Sequence, residues 1–328
     1  MTVRINTVLG PISPVDLGIT LMHEHLVFGY PGWQCDTAAP PYNRERVSET
    51  CVGMLREAGN YGLKTMVDAT PNDGSRDPDL YKIVSEKSGV NIICATGLYT
   101  EAEGSPAYFK KRSLLSGDRC KVINEMSETF IRDITVGIGD SGIKAGVIKV
   151  GTGKGAITPY EEMVLEAAVM AQKSTGAPII THTEAGTMGP GQADFLIGKG
   201  VDVKRLMIGH ICGNPDVDYH LEVLRKGVFI SFDRFGLEGL LPDTLRTSSV
   251  ADLVGMGYHR QIMLSQDYVI HWLGRGFPMS QKLLPRVANW GLTHIFKNII
   301  PGLKRASISD EQIHTMMVDN PRRLFAGE

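Results

Sequence analysis

The chain has 328 residues, 42% of them hydrophobic, and its 34 basic and 36 acidic side chains leave a formal net charge of −2. That length suits one large domain or two small ones, and the mixed, balanced charge excludes a basic nucleic-acid surface and an acidic tail. Mean hydropathy is near zero, no apolar run is long enough for a bilayer, the start "MTVRINTVLGPISPVD" lacks a signal-peptide pattern, and the five cysteines form no CxxC, which together predict a cytoplasmic protein with reduced thiols.

The first predicted strand is "ITLMHEH" (19–25). Residues two apart on a strand share a face, so His23 and His25 project together and Glu24 projects opposite. Two neutral imidazoles side by side suit one divalent cation. The alternative is a pair of core histidines bonded to backbone carbonyls. Further short apolar runs follow in order: "LKTMVDAT" (63–70), "NIICATGL" (91–98), "AGVIKV" (145–150), "APIITHT" (177–183), "KRLMIGH" (204–210), "GVFISFD" (227–233) and "QIMLSQD" (261–267). Between them lie amphipathic stretches such as "RERVSETCVGMLREAGNYG" and "TPYEEMVLEAAVMAQKSTG". The second opens on Thr158-Pro159 and stops at Gly176, a cap, a first-turn proline and a C-terminal stop. Alternating strands and helices imply parallel strands with crossovers. No composition change marks a domain boundary. Eight such units in this length predict a single (β/α)8 TIM barrel over residues 1–328.

Such barrels carry their chemistry at the C-terminal ends of the strands. Here those ends hold His23 and His25, Asp68, Tyr99, Lys149, His182, His210, Asp233 with Arg234, and Asp267. Taken singly, His182 and His210 read as capping or core histidines, and Asp267 as a helix cap. Taken together, chance does not readily supply four histidines, a lysine and an aspartate converging on one mouth. Lys149 is the odd member, because a buried ammonium beside a cation site is costly. Carbamylation by carbon dioxide removes the conflict and makes the side chain an anionic oxygen donor able to bridge two metals.

The segments "TLMHEH", "IKVGTGKGAITPYE", "PIITHTEAGTMGPGQ", "LMIGHICGNPD" and "SFDRFG" resemble the phosphotriesterase family of the amidohydrolase superfamily, most of all its lactonase branch. The resemblance runs from about Thr7 to the C-terminus. It implies that His23, His25 and Asp267 hold a buried divalent metal and that His182 and His210 hold a more exposed one, with carboxylated Lys149 and a hydroxide between them. Zinc is the first expectation, with cobalt, manganese or iron as alternatives. The resemblance also implies that Asp267 accepts the proton of that hydroxide, that Tyr99 contacts the substrate, and that Arg234 is the arginine under the active-site loop. It implies a homodimer paired through loops near the mouth, such as the segment around Tyr30 and Trp33. Two positions depart from the family pattern. Gln266 stands where many lactonases have histidine, and Cys212-Gly213-Asn214 stand where many members have an acidic residue that relays the proton.

The expected activity is opening of lactones, N-acyl homoserine lactones among them, with organophosphate hydrolysis on the side. A dedicated phosphotriesterase, or a metal-bearing barrel that binds without turnover, are the alternatives. The expected partner is a small-molecule substrate. Glu24 and Asp68 are expected to orient ligating histidines or to serve structure. The run "GTGKG" (151–155) fails the Walker pattern, because Gly155 follows Lys154, and reads as the turn after the fourth strand. His220, His259, His271, His294 and His314 read as surface or packing residues and Cys212 as a spectator. After Asp267, the residues Tyr268, Trp272, Phe277, Met279 and Trp290 either line an acyl-chain pocket or pack on the barrel or a second subunit.

Overall fold

The computed structural model describes residues 3–276 and 279–328, so Phe277 lies outside the described residues. A short antiparallel hairpin, β1 (Ile5–Thr7) and β2 (Gly10–Ile12), comes first. All eight expected strands then form: β3 (Ile19–Phe28), β4 (Leu63–Asp68), β5 (Asn91–Gly97), β6 (Val147–Thr152), β7 (Ile179–Thr183), β8 (Leu206–Ile208), β9 (Phe229–Phe232) and β10 (Ile262–Leu264). Each pairs in parallel with the next, and the result is a (β/α)8 TIM barrel. Their ends differ from the predicted runs by up to three residues; β3 continues to Phe28, and β6 runs on to Thr152, so the first two residues of "GTGKG" belong to the strand.

A further strand, β11 (Val269–Trp272), pairs in parallel with β3. It lies just after Asp267, beyond the eight predicted strands. Beside it the barrel closes through Asp267 N to His23 O at 3.0 Å and His25 N to Tyr268 O at 2.9 Å. Glu24 completes this seam. Its Oε1 accepts from Ser265 Oγ and Gln266 N, and its Oε2 accepts from Tyr268 N, each at 2.8 Å. Burial lifts this carboxyl to about 8, and three aligned donors offset part of the cost of keeping it there. Glu24 therefore binds the seam of the barrel and does not orient a histidine.

Local chemistry sets the helix ends. The Asn43 side chain accepts from Arg46 N at the start of the helix Arg44–Gly59. Asp77 accepts from Leu80 N at the start of Pro78–Ser88. Thr158 and Glu161 form a capping box for Pro159–Thr175, which stops at Gly176 with φ +73°. Each such cap contributes about 1 kcal/mol. Glu161 reaches further: its Oε1 accepts from Gly153 N at 2.8 Å and Glu101 N at 3.0 Å, which ties the loops after β5 and β6 to this helix.

Two apolar clusters fill the molecule. The larger one lies between strands and helices and includes Leu21, Met66, Ile148, Ile179 and Ile230 against Leu55, Phe130 and Leu165. The smaller one plugs the lower lumen with Met22, Val67, Ile93, Val147, Ile180, Met207, Phe229 and Met263, and Ile5, Leu17 and Phe325 join it. Fully burying such a side chain contributes about 1.5–3 kcal/mol. Lys149 and His182 follow Val147 and Ile180 by two residues, so they share the inward face one layer higher. Gly97 permits β5 and β6 to approach at that level. Its φ is +130°, and a Cβ there would fall on the carbonyl oxygen of Lys149.

Candidate active site

Three backbone irregularities aim the polar residues. Met22 faces the lumen, so simple alternation would send His23 outward. The pairing of β3 with β4 shifts register between Leu21 and Glu24, and such a bulge re-aims the side chains that follow it. Met207 faces the lumen as well, so an unbroken strand would send His210 towards the helices. The chain instead leaves β8 at Ile208, and His210 takes a left-handed conformation with φ +55°. Asp267 is left-handed too, at φ +53°. Such a conformation costs roughly 1–2 kcal/mol in an L-residue, and its concentration at a cluster of polar side chains is a common mark of function.

The structure brings every expected site residue together. His25 Nε2 lies 3.2 Å from Asp267 Oδ1, and His23 Nε2 lies 3.6 Å from the same oxygen. His210 Nε2 lies 3.6 Å from Asp267 Oδ2. Lys149 Nζ lies 2.7 Å from His23 Nε2. The rings of His182 and His210 meet edge to face with centroids 4.5 Å apart. Arg234 Nε donates to Asp267 Oδ2 at 3.0 Å, and the Tyr99 hydroxyl lies 3.2 Å from His182 Nδ1.

The protonation states suit cation binding. Burial, followed by the charge of Lys149, brings His23 down to about 4. Burial also brings His182 down to about 4 and holds His210 well below its ordinary value. These imidazoles are neutral at neutral pH and offer lone pairs. Burial pushes the Asp267 carboxyl up, but the field of His210, the hydrogen bond from His25 and the fields of His23 and Arg234 outweigh it and hold the group well below its usual range. Burial brings Lys149 down to about 7, so much of it is an uncharged amine near neutrality. His23, His25 and Asp267 are close enough to share one cation. A buried set of imidazoles with one or two oxygen anions is a fit for a first-row dication.

His23, His210 and Asp233 also cluster, but their contacts lie at the outer ring nitrogens. Asp233 Oδ1 is 2.8 Å from His210 Nδ1, and Oδ2 is 3.2 Å from His23 Nδ1. Asp233 therefore orients two rings, and of the two parts expected for Glu24 and Asp68 it is the structural one that Glu24 takes. For His25 the orienting part falls to Thr70, whose Oγ1 lies 2.7 Å from Nδ1. Asp68 acts one step further out, accepting from Thr70 N and Leu26 N. Sequence reading placed Asp233 at a strand end without a role and did not select Thr70.

Above the cluster opens a cavity of about 300 Å³. Phe28, Tyr30 and Trp272 form one aromatic wall, with centroids 5.2 to 6.1 Å apart. Leu237, Leu240 and Trp290 line it as well, as do Tyr99, Arg234, Glu103 and Glu184. Trp272 and Trp290 thus belong to the pocket, whereas Tyr268 packs edge to face on Trp290 against the core. Tyr30, expected at a subunit contact, lines the cavity, and Trp33 Nε1 donates to Ser75 Oγ within the chain. Asp73, which sequence reading missed, accepts from Tyr99 N and Ser105 N and holds the segment carrying Tyr99 and Glu103. Burial raises Asp73 to about 6.

The two departures from the family pattern have structural uses. Gln266 is buried, donates to Leu292 O and accepts from Ile295 N, while its own carbonyl accepts from Trp290 Nε1. It anchors the segment that carries Trp290. Cys212 is buried with Sγ 3.9 Å from Asp233 Oδ1, and burial pushes its thiol up to about 11, which suits a spectator. His220 and His294 are buried packing residues, the latter bonded to Asp243 at 2.7 Å.

The model of the phosphotriesterase family matches residues 3–325. The chain is 37% identical over 332 residues to a phosphotriesterase homology protein of Mycobacterium tuberculosis, covering 98% of this chain and 97% of that protein. An organophosphorus hydrolase from Deinococcus radiodurans has the same fold with a TM-score of 0.95 at 44% identity, covering 98% of this chain and 97% of that one. A mutant of a Deinococcus radiodurans PTE-like lactonase gives a TM-score of 0.94 at 43% identity over 98% of this chain and 99% of that one. Among the described residues, no helix is long and apolar enough to cross a membrane.

Proposed function

The chain belongs to the phosphotriesterase family of metal-dependent hydrolases, and from that premise we propose that it opens uncharged lactones at a binuclear metal site, with organophosphate hydrolysis as a side activity. The observation that carries this reading is the Tyr99 hydroxyl, half-buried 3.2 Å from His182 Nδ1 in the wall of the cavity. Burial holds this phenol well above its ordinary range, so it stays protonated and can donate. In that place it can hydrogen-bond a lactone ring or its developing oxyanion, and its bulk narrows the site against a phosphotriester.

Two dications held by His23, His25, Asp267, His182, His210 and a carboxylated Lys149, with zinc the first choice and cobalt, manganese or iron the alternatives, would supply Lewis acidity and a hydroxide near neutral pH. The uncharged Lys149 amine adds through its lone pair to carbon dioxide and releases a proton, leaving a carbamate. Asp267, kept anionic, accepts the proton of the attacking hydroxide and returns it to the departing alkoxide, directly or through water. Arg234 Nε, 3.0 Å from Asp267 Oδ2, keeps that carboxylate aimed at the cluster. No acidic residue stands at Cys212-Gly213-Asn214 to carry the proton further. The leaving alkoxide of a lactone stays tethered and must still be protonated, and water can supply that proton.

The cavity also speaks to the substrate's charge. Its lining includes the carboxylates of Glu103 and Glu184, while its cation, Arg234, is engaged by Asp267. A phosphorylated or otherwise anionic lactone is disfavoured there, whereas the aromatic wall accepts an apolar substituent such as an acyl chain. We take the working unit to be the whole chain, residues 1–328, in a cytoplasmic homodimer. Sedimentation showing only a 35.8 kDa species would refute the dimer.

Steady-state rates on a lactone panel and on paraoxon, with zinc- or cobalt-loaded enzyme, test the activity. Lactones are expected to lead. A paraoxon preference of orders of magnitude would make the chain a dedicated phosphotriesterase, and full metal loading with no turnover would make it a binding barrel.

A further inference from the structure

Three of the clustered histidines turn the same way. His23, His25 and His210 each direct Nε2 towards Lys149 or Asp267, while Nδ1 faces Asp233 or Thr70 behind the ring. His182 is reversed. Its Nε2 lies 2.9 Å from Glu184 Oε2, and its Nδ1 faces the Tyr99 hydroxyl at 3.2 Å. The backbone builds this contact. Thr183 is extended, with φ −113° and ψ 118°, so residues 182 and 184 share a face. The chain then turns sharply through Ala185 at φ +52° and Gly186 at φ +62°. Thr187 fixes the turn, donating from N and Oγ1 to Glu184 O. Gln192 Nε2 holds His182 O at 2.7 Å from the other side.

A neutral imidazole carries one N–H, and an ionised carboxylate only accepts. The Glu184 contact therefore requires the hydrogen on Nε2 and leaves a lone pair on Nδ1. The Tyr99 contact agrees, since a phenol O–H can donate to that lone pair. The opposite tautomer would set two lone pairs face to face at 2.9 Å. We infer that Glu184 is a positioning residue: by accepting the Nε2 hydrogen it holds His182 in the one tautomer and ring orientation that presents Nδ1 to the exposed metal. This rests on the reading of His182 as a ligand of that metal. It assigns Glu184 a second part besides its place in the cavity lining, and it makes retention of the exposed metal, not of the buried one, depend on a partly exposed side chain.

Two variants separate the possibilities. Glu184→Gln keeps an acceptor oxygen without charge, and Glu184→Leu keeps bulk without an acceptor. The first readout is long-range ¹⁵N–¹H correlation on metal-free, histidine-labelled protein, with His182 assigned from a His182→Asn control. The native chain and Glu184→Gln are expected to show Nε2–H, and Glu184→Leu a mixture or Nδ1–H. The second readout is zinc release to a chelator. Glu184→Leu should weaken the less tightly held metal by about ten- to a hundredfold and leave the tighter one unchanged, while Glu184→Gln stays close to native. Native tautomer and native affinity in Glu184→Leu would overturn the inference. So would equal loss in both variants, or equal weakening of both metals. The metal-free spectrum stands apart from the hydrolase reading: a native chain that bound one metal only would defeat that reading and leave the tautomer to be judged by itself.

Discussion

Asp233 Oδ1 accepts from His210 at both the backbone N, at 2.9 Å, and the ring Nδ1, at 2.8 Å. One fully buried carboxylate thus holds the left-handed backbone of His210 and the plane of its ring, while its second oxygen backs His23. Asp233→Asn would place an amide against one of these contacts and remove the charge from both. Metal affinity is expected to fall about ten- to a hundredfold, read by chelator competition. Unchanged affinity would mean that His210 and His23 are held by packing alone.

Arg234→Met should move the acid limb of kcat/KM to higher pH. The guanidinium is one of the positive fields that hold Asp267 well below its usual range, so its loss lets that carboxyl rise. A neighbouring opposite charge lowers a carboxyl by about one to three pH units, which bounds the movement. A pH–rate profile on a lactone is the measurement. An acid limb that stays in place would show that Asp267 is controlled by the metals alone.

Tyr99→Phe should lower lactone turnover by roughly a hundredfold, since one transition-state hydrogen bond in a preorganised site is worth about 2–4 kcal/mol. Paraoxon turnover should change little or rise. The comparison is internal, because both reactions use the same Asp267 and the same histidines. Equal loss of both activities would make Tyr99 a support of the metal site, and loss of the paraoxon activity alone would invert the assignment of the native substrate.

Reconstitution of metal-free protein with zinc, at a constant concentration of dissolved carbon dioxide, should quicken as pH rises through about 7 and then level off. Burial lowers the Lys149 pKa to about 7, and only the uncharged amine, the form that gains as pH rises, reacts with carbon dioxide. An unshifted lysine would keep gaining well into the alkaline range. Incorporation of ¹³C-bicarbonate follows the step without an activity assay, and Lys149→Ala should incorporate none at the site. A rate that climbs without a plateau would show an ordinary, solvated amine.

Gly97→Ala should destabilise the chain by about 2–4 kcal/mol, the range expected when a side chain meets backbone at a left-handed position. The added methyl would strike the Lys149 carbonyl and part β5 from β6. Denaturant midpoints compare the two proteins. A loss under ~1 kcal/mol would mean that the two strands can separate without strain.

Local order was legible in the chain. Short apolar runs marked all eight barrel strands, and Thr158-Pro159 with Gly176 marked the ends of one helix to the residue. These signals are carried by side chains a few positions apart, which is why a linear reading finds them. The residues at the strand ends were legible for the same reason, since parallel strands must deliver their C-termini to one mouth.

Other features depend on partners far apart in the chain. Alternation from Met22 and Met207 would have sent His23 and His210 away from the lumen; a register shift against β4 and a left-handed turn braced by Asp233 return them. Glu24 could have oriented a histidine or served structure, and Ser265, Gln266 and Tyr268 at its two oxygens give it the structural part. The stretch after Asp267, where no strand was predicted, forms β11 by pairing with β3. In each case a backbone or carboxylate group had to find a hydrogen-bond partner once buried. Composition and spacing announce that such a group exists, and only the closed barrel decides which distant group answers it.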